Sequence, residues 1–151
     1  MYKEIRKIAR KAWQMAACLL LTLCVACTEK APEFPVLEKY WKQERIEDNR
    51  TGESQDCKRL FWALQMGVSE IKDLGGNGYG TFLCRYEYDE GASTLRLYDF
   101  RLRTDQSEVA DESDLAHFGI PSGDVTFDVM QLEDDHMILR SEETTLYFRS
   151  F

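Results

Sequence analysis

The chain has 151 residues, enough for one domain, and it carries 19 basic against 27 acidic side chains. Five basic residues and one acidic residue lie in the first 26 positions, so the remainder holds 14 basic and 26 acidic side chains, a formal net charge of −12. Such an acidic chain repels phosphate backbones, which argues against nucleic acid as a partner.

The N-terminal segment has the anatomy of an export signal. A cationic stretch that ends at Lys11 is followed by an apolar run of 15 residues, Ala12–Ala26. That length suits a signal peptide and falls short of the roughly 20 apolar residues of a membrane-spanning helix. We therefore predict that residues 1–26 are removed. The alternatives are a plain secretory signal and an uncleaved amphipathic anchor.

The segment Cys24–Cys27 resembles a lipobox, the processing site of bacterial lipoproteins. Small residues, Val25 and Ala26, precede Cys27, whereas Cys24 stands where the pattern usually has leucine. The resemblance implies that Cys27 carries the lipid and anchors the protein in a membrane of the cell envelope, because two or more acyl chains hold a protein stably. Thr28 replaces the aspartate that marks inner-membrane retention in some bacteria, so we expect the outer membrane, on its periplasmic face or at the cell surface.

Two cysteines remain in the mature chain beside the lipidated one. Cys57 and Cys84 could form a disulfide in an oxidising compartment, or they could be free buried thiols. A disulfide requires the two Cβ atoms to meet within about 4.5 Å, which the sequence does not establish. So sparse a set of cysteines does not predict a metal site.

The mature chain divides into a tether and one folded domain. Residues 27–38 contain Pro32 and Pro35 and are predicted to form the tether, and residues 39–151 the domain. In that domain, short runs rich in β-branched and aromatic residues alternate with turn residues, which predicts successive antiparallel strands. We predict eight strands, at about 39–47, 58–66, 68–73, 79–88, 93–103, 123–132, 136–141 and 144–151.

Apolar residues alternate along most of these strands, which indicates the side that faces the core. The inward positions are Leu60, Trp62, Leu64 and Met66, then Phe82, Cys84, Tyr86 and Tyr88, then Val125, Phe127 and Val129, and finally Met137, Leu139, Leu146 and Phe148. The apolar phase shifts near Leu97 and Tyr98, which predicts a β-bulge. A short helix, capped by Asp111 or Ser113 and ended by Gly119, is expected to cover one end of the sheet.

An all-β fold of eight sequential antiparallel strands favours an up-and-down barrel, because closure removes exposed strand edges; an open sandwich is the alternative. Six segments of the chain carry a resemblance to a known family: Tyr40–Lys42, Leu60–Gln65, Gly78–Gly80, Tyr98–Arg101, Phe127–Val129 and Phe148–Phe151. Together they resemble the lipocalin-like lipoproteins of unknown function typical of Bacteroidetes. The resemblance implies a lipocalin-like or calycin-like barrel of eight strands and implies no particular activity.

No catalytic constellation emerges from the sequence, so we predict that the protein is not an enzyme and needs no cofactor. The two histidines, His117 and His136, fit neither a zinc site nor a nucleophile triad. The acidic run Glu133–His136 is read as a hairpin turn rather than as a cation site. The glycine-rich segment 75–80 lacks the lysine of a phosphate loop and is read as a turn.

Two functional hypotheses remain. In the first, the barrel holds a small apolar or amphipathic ligand in a cavity. In the second, the barrel is filled, and outward apolar residues such as Phe61 and Tyr147 dock on another envelope component. Arginines within the strands, Arg45, Arg85, Arg96 and Arg101, are expected to face solvent, because an unpaired buried charge is costly. The candidate ligand-binding residues, which could equally fill the core, are Trp41, Trp62, Tyr86, Tyr98 and Phe127.

Overall fold

The computed structural model describes Met1 and residues 31–151. The predicted signal peptide, residues 1–26, and the predicted lipidation site, Cys27, therefore lie outside the described residues. Among the residues that are described, no helix is both long and apolar enough to cross a membrane. Residues 32–151 form one compact unit. This unit contains every strand and the whole core, so we expect it to fold by itself.

The structure contains the eight predicted strands, each close to its predicted position. They are β1 (Tyr40–Asp48), β2 (Ser54–Gln65), β3 (Val68–Asp73), β4 (Thr81–Asp89), β5 (Thr94–Leu102), β6 (Asp124–Leu132), β7 (His136–Arg140) and β8 (Thr144–Ser150). The predicted helix is present as α1 (Glu112–Ala116), between β5 and β6. Asp111 occupies its N-cap position, although the carboxylate makes no capping hydrogen bond.

Each strand pairs with its neighbours in sequence, and the last strand pairs with the first. All pairs are antiparallel, and the sheet closes as a barrel in the order β1 to β8. On β1, for example, Trp41 lies opposite Trp62 of β2, and Gln43 lies opposite Phe148 of β8. The prediction of an up-and-down barrel rather than a sandwich is therefore confirmed.

The predicted alternation holds along most of the barrel wall. On β2 and β4, for example, Leu60, Trp62 and Leu64 are buried, as are Phe82, Cys84 and Tyr86. The predicted bulge is also present: Leu83 and Arg85 lie opposite Arg101 and Tyr98, so β5 has one residue more than β4 over this stretch. Asp99, in this bulge, has a φ of 54°. The extra residue turns Phe100 inward after Leu97, which explains the shift in apolar phase.

Two expectations about the ends of elements are corrected. Met66 was expected to point inward with Leu64, but it lies in the turn between β2 and β3 and is largely exposed. Met66 and Gly67 both have positive φ, the conformation of a two-residue hairpin turn whose twist matches the flanking strands. In addition, β2 begins at Ser54 rather than at residue 58.

The second half of the predicted tether packs against the barrel. Leu37 is completely buried, and its carbonyl oxygen accepts a hydrogen bond of 2.9 Å from Nε1 of Trp41. Phe34 contacts Tyr88 edge to face, with 5.0 Å between ring centroids. The two prolines suit an irregular segment, but the apolar side chains between and after them cover the barrel end at which β1 begins.

Candidate functional site

The barrel interior contains four of the five candidate ligand-binding residues. Trp41, Trp62 and Phe127 are completely buried, and Tyr86 is nearly so. They come from β1, β2, β6 and β4, and the inward phase of each strand brings them together.

Tyr98 lies on the outer face, in the bulge of β5. Its hydroxyl donates a hydrogen bond of 3.0 Å to Glu87, and the carboxylate raises the pKa of the phenol. Arg96 lies over the Tyr98 ring and binds Asp124 through two hydrogen bonds, of 2.7 and 2.9 Å. Tyr98 is therefore separated from the other four candidates by the barrel wall.

One polar side chain is completely buried between these aromatic rings. Gln43 accepts a hydrogen bond of 3.0 Å from Nε1 of Trp62, and its own Nε2 donates one of 2.8 Å to the carbonyl oxygen of Phe118. Gln43 is not among the site residues predicted from the sequence. Its position two residues after Trp41, on the same face of β1, is the signal that could have identified a polar group inside the barrel.

The segment from Asp111 to Ile120, which we call the plug, covers the end of the barrel opposite to Leu37. In an up-and-down barrel, the connection between β5 and β6 and the residues before β1 lie at opposite ends. Leu115, Phe118 and Ile120 of the plug are completely buried, and the Phe118 ring meets that of Phe82 edge to face at 5.9 Å. The prediction that the helix covers one barrel end is therefore confirmed.

The plug ends in a tight turn that is held by β1 and β8. The amides of Gly119 and Ile120 donate to the carbonyl oxygens of Ala116 and Leu115, a Schellman arrangement that requires the positive φ of 73° at Gly119. Thr144 of β8 donates a hydrogen bond of 2.6 Å to the Gly119 carbonyl oxygen. The plug is thus fixed by buried apolar contacts and by hydrogen bonds from Gln43 and Thr144.

Side chains fill the described interior between the two covered ends. Most of the inward side chains that surround the barrel axis are at most 2% exposed, whereas a ligand-sized cavity between them would leave a larger fraction of their surface accessible. The rings of Trp62 and Phe148 are 4.8 Å apart and meet at 66°. These completely or almost completely buried inward residues are Trp41, Gln43, Leu60, Trp62, Leu64, Ile71, Phe82, Leu95, Leu97, Phe127, Met137, Leu139, Leu146 and Phe148.

The two cysteines of the barrel, Cys57 and Cys84, are separate free thiols in the structure. Cys84 points into the barrel opposite Ser69, whereas Cys57 is partly buried near the start of β2. Burial raises the pKa of Cys84 to about 12, and burial together with the neighbouring Asp56 raises that of Cys57 to about 11. Neither thiol is therefore an activated nucleophile near neutral pH.

The remaining polar candidates of the sequence have structural roles. His117 stacks on Tyr79 with 4.2 Å between centroids, and His136 contacts Asp135 beside the turn that precedes β7. Glu133 and His136 form the backbone hydrogen bond of that turn, as expected. Within residues 31–151, no group of three or more His, Cys, Asp and Glu is placed to hold a metal ion.

The outer wall carries shallow depressions with mixed lining. One, of about 310 Å³, lies over β3, β4 and β5, with Val68 and Leu83 beside Arg85 and Arg101. Another, of about 290 Å³, lies over β1, β7 and β8, where Arg45 stacks on Tyr147 at 3.8 Å from the ring centroid. The strand arginines thus lie on the outer face, as predicted.

Comparison with known proteins places this barrel in a family. The family model described as a lipocalin-like domain matches residues 19–151. A lipocalin-like protein from Bacteroides uniformis ATCC 8492 is similar, with 25% identity over 77% of this chain and 99% of that chain and a TM-score of 0.60. An uncharacterised protein from Bacteroides eggerthii DSM 20697 shares the fold, with 20% identity over 75% of this chain and 98% of that chain and a TM-score of 0.53. No curated protein matches this sequence. The chain belongs to the lipocalin-like domain family.

Proposed function

We propose that the mature protein is a lipoprotein of the cell envelope, anchored through Cys27 in the outer membrane, and that its filled barrel acts through its outer surface. It performs no catalysis in this proposal and carries no cofactor. Its barrel is a rigid support that holds outward side chains in fixed positions close to the membrane.

The anchoring is supported by the order of features at the N-terminus. A cationic stretch, an apolar run of 15 residues and the small residues before Cys27 follow one another, and only ten positions separate Cys27 from the buried Leu37. A lipid on Cys27 therefore keeps the barrel within a few tens of ångströms of the membrane, since each residue spans at most about 3.6 Å.

We assign the function to the outer surface because the inward side chains are buried against one another. Trp41, Trp62 and Phe127, which would line a ligand cavity, are completely buried by other side chains of the barrel. Protein interiors of this kind have little free volume, and a ligand would have to displace packed groups. The outer face, by contrast, offers exposed apolar and charged side chains to a partner.

Intact-mass and native mass spectrometry of the protein purified in detergent from its own host tests both parts. We expect an N-terminal cysteine with acyl chains, a mass that starts at Cys27, and no stoichiometric small molecule. A Cys27→Ser variant serves as the control, because it must lose the acyl mass. Processing elsewhere would overturn the anchoring, and a bound small molecule would overturn the filled barrel.

A carrier of a small apolar or amphipathic ligand is the second candidate, and the construction of the plug favours it. The helix α1 has only five residues, and the plug that contains it makes its inner contacts through the apolar Leu115, Phe118 and Ile120, which a ligand could replace. Behind Phe118, the Gln43 amide and the Trp62 indole would then offer hydrogen bonds to a polar ligand group. The native mass measurement distinguishes this carrier from the filled scaffold.

A further inference from the structure

The strand register aligns basic side chains across the outer wall from β1 to β5. Lys42 lies directly opposite Phe61, and Phe61 directly opposite Lys72, so the three side chains share the outer face. Lys72 in turn lies opposite Thr81, whose carbonyl oxygen accepts a hydrogen bond from the amide of Arg103. Residues far apart in sequence thus form one row, with basic side chains on β1, on β3 and just after β5.

Two more rows lie beside this one, nearer the turn between β2 and β3. The second row contains Leu83 opposite Arg101, and the third contains Val68 opposite Arg85. We call the five cationic side chains of these rows the basic wall; they are Lys42, Lys72, Arg85, Arg101 and Arg103.

The basic wall contrasts with the charge of the rest of the barrel. Residues 32–151 contain 13 basic and 25 acidic side chains. The wall holds five of the former, with two acidic residues among them: Glu70, which pairs with Lys72 and Arg103, and Asp99, which pairs with Arg85 and Arg101. The wall therefore has a net positive charge, although the protein as a whole is acidic.

Apolar side chains lie among and beside these cations. Tyr40, Phe61 and Phe151 form an aromatic cluster, in which Phe61 and Phe151 meet edge to face at 5.1 Å. Phe151 is 79% exposed, and Val68, in the depression between the arginines, is 44% exposed. A surface that combines cations with exposed apolar side chains is typical of proteins that bind the headgroup region of a membrane.

The basic wall runs along the side of the barrel and reaches the anchored end. Lys42 and Val68 lie toward the end where β1 begins, whereas Lys72 and Arg103 lie toward the plug end. The turn between β2 and β3, Phe151 and the segment that contains Leu37 all lie at the barrel end where β1 begins. The ten residue-to-residue steps from Cys27 to Leu37 span at most about 36 Å, so a lipid on Cys27 holds this end near the bilayer. Tethering of this kind gives even a weak surface contact a high effective concentration.

We propose that the basic wall docks on anionic phospholipid headgroups of the membrane that holds the anchor. Its lysines and arginines contact lipid phosphates, while Val68 and Phe151 contact the boundary of the acyl region. The acidic remainder of the barrel is repelled by the same surface, which orients the wall toward the bilayer. This docking rests on the anchoring proposed above.

Vesicle co-sedimentation of unlipidated residues 28–151 tests the docking without the anchor. We expect the protein to bind vesicles made of equal parts phosphatidylglycerol and phosphatidylcholine at low ionic strength, to bind pure phosphatidylcholine much less, and to be released by salt. The Lys42→Gln/Arg85→Gln double variant is expected to lower the partition coefficient by about tenfold or more.

The matched control is the Arg50→Gln/Arg140→Gln double variant. It removes the same charge near the plug end, outside the basic wall, and neither side chain has an ion-pair partner among the described residues. This control is expected to bind the anionic vesicles as the unmodified protein does, and circular dichroism checks that both variants are folded. Equal losses in the two variants, or no binding to anionic vesicles, would overturn the docking. Because no lipid is attached, that failure would leave the acyl-mass test of the anchoring unaffected.

Discussion

Substitution of Gly119 by alanine tests whether the plug is seated as the structure shows. Gly119 has a φ of 73°, and a Cβ atom placed there would lie 2.5 Å from Cδ2 of Leu146 and 3.0 Å from Cγ2 of Ile46. The left-handed conformation costs an alanine about 1–2 kcal/mol, and overpacking a core site costs about 1–3 kcal/mol more. We therefore expect Gly119→Ala to lower the free energy of unfolding by about 2–5 kcal/mol.

Gly52 provides the matched control, because its φ is also 73° and nothing lies within 4 Å of a Cβ atom placed there. Gly52→Ala should show only the backbone cost of about 1–2 kcal/mol. Alanine reduces the conformational entropy of the unfolded chain by the same amount in both variants. The difference between their losses in unfolding free energy therefore measures the contact of the new Cβ atom with Leu146 and Ile46. Urea unfolding of residues 28–151, followed by the fluorescence of the buried Trp41 and Trp62, gives both values. Equal losses in the two variants would refute the seating of the plug.

Two further predictions concern buried polar groups. Gln43→Leu should leave the Trp62 indole N–H and the Phe118 carbonyl oxygen without hydrogen-bond partners. We expect this to lower the free energy of unfolding by about 2–5 kcal/mol, measured by the same urea assay. A loss below about 1 kcal/mol would contradict the prediction. The free thiols, Cys57 and Cys84, should both react with Ellman's reagent in denaturant without reductant. In the native protein they should react far more slowly at pH 8, because burial raises both pKa values, and the absence of thiols in denaturant would instead indicate a disulfide.

Much of the fold follows from local patterns that can be read in the sequence. The alternation of Phe82, Cys84 and Tyr86 requires only that a strand has one buried face, and all three are buried. The shift in phase near Leu97 correctly indicated the bulge. The same pattern gave a wrong prediction at Met66. The alternation of apolar residues in the sequence extends to Met66, but β2 ends at Gln65 and Met66 already belongs to the turn.

The interior was predicted in outline and not in detail. Four of the five aromatic candidates face inward, but Tyr98 does not. The extra residue of the bulge reverses the inward and outward positions only for the residues that follow it, and Tyr98 precedes it. Leu37 was assigned to the tether, since nearby prolines indicate irregular structure. Its burial depends on the barrel end that it covers, which forms only when β1 pairs with β8.

The sequence by itself determined the strands, most of their inward faces and the turns between successive antiparallel strands. These features depend on neighbouring residues and on an alternation with a period of two. Only the tertiary structure decided whether the barrel is filled, since that depends on how side chains from many strands share one volume. It also decided that Lys42 and Lys72 lie on either side of Phe61. Register between strands creates such surfaces, and register is a property of the closed sheet rather than of any one segment.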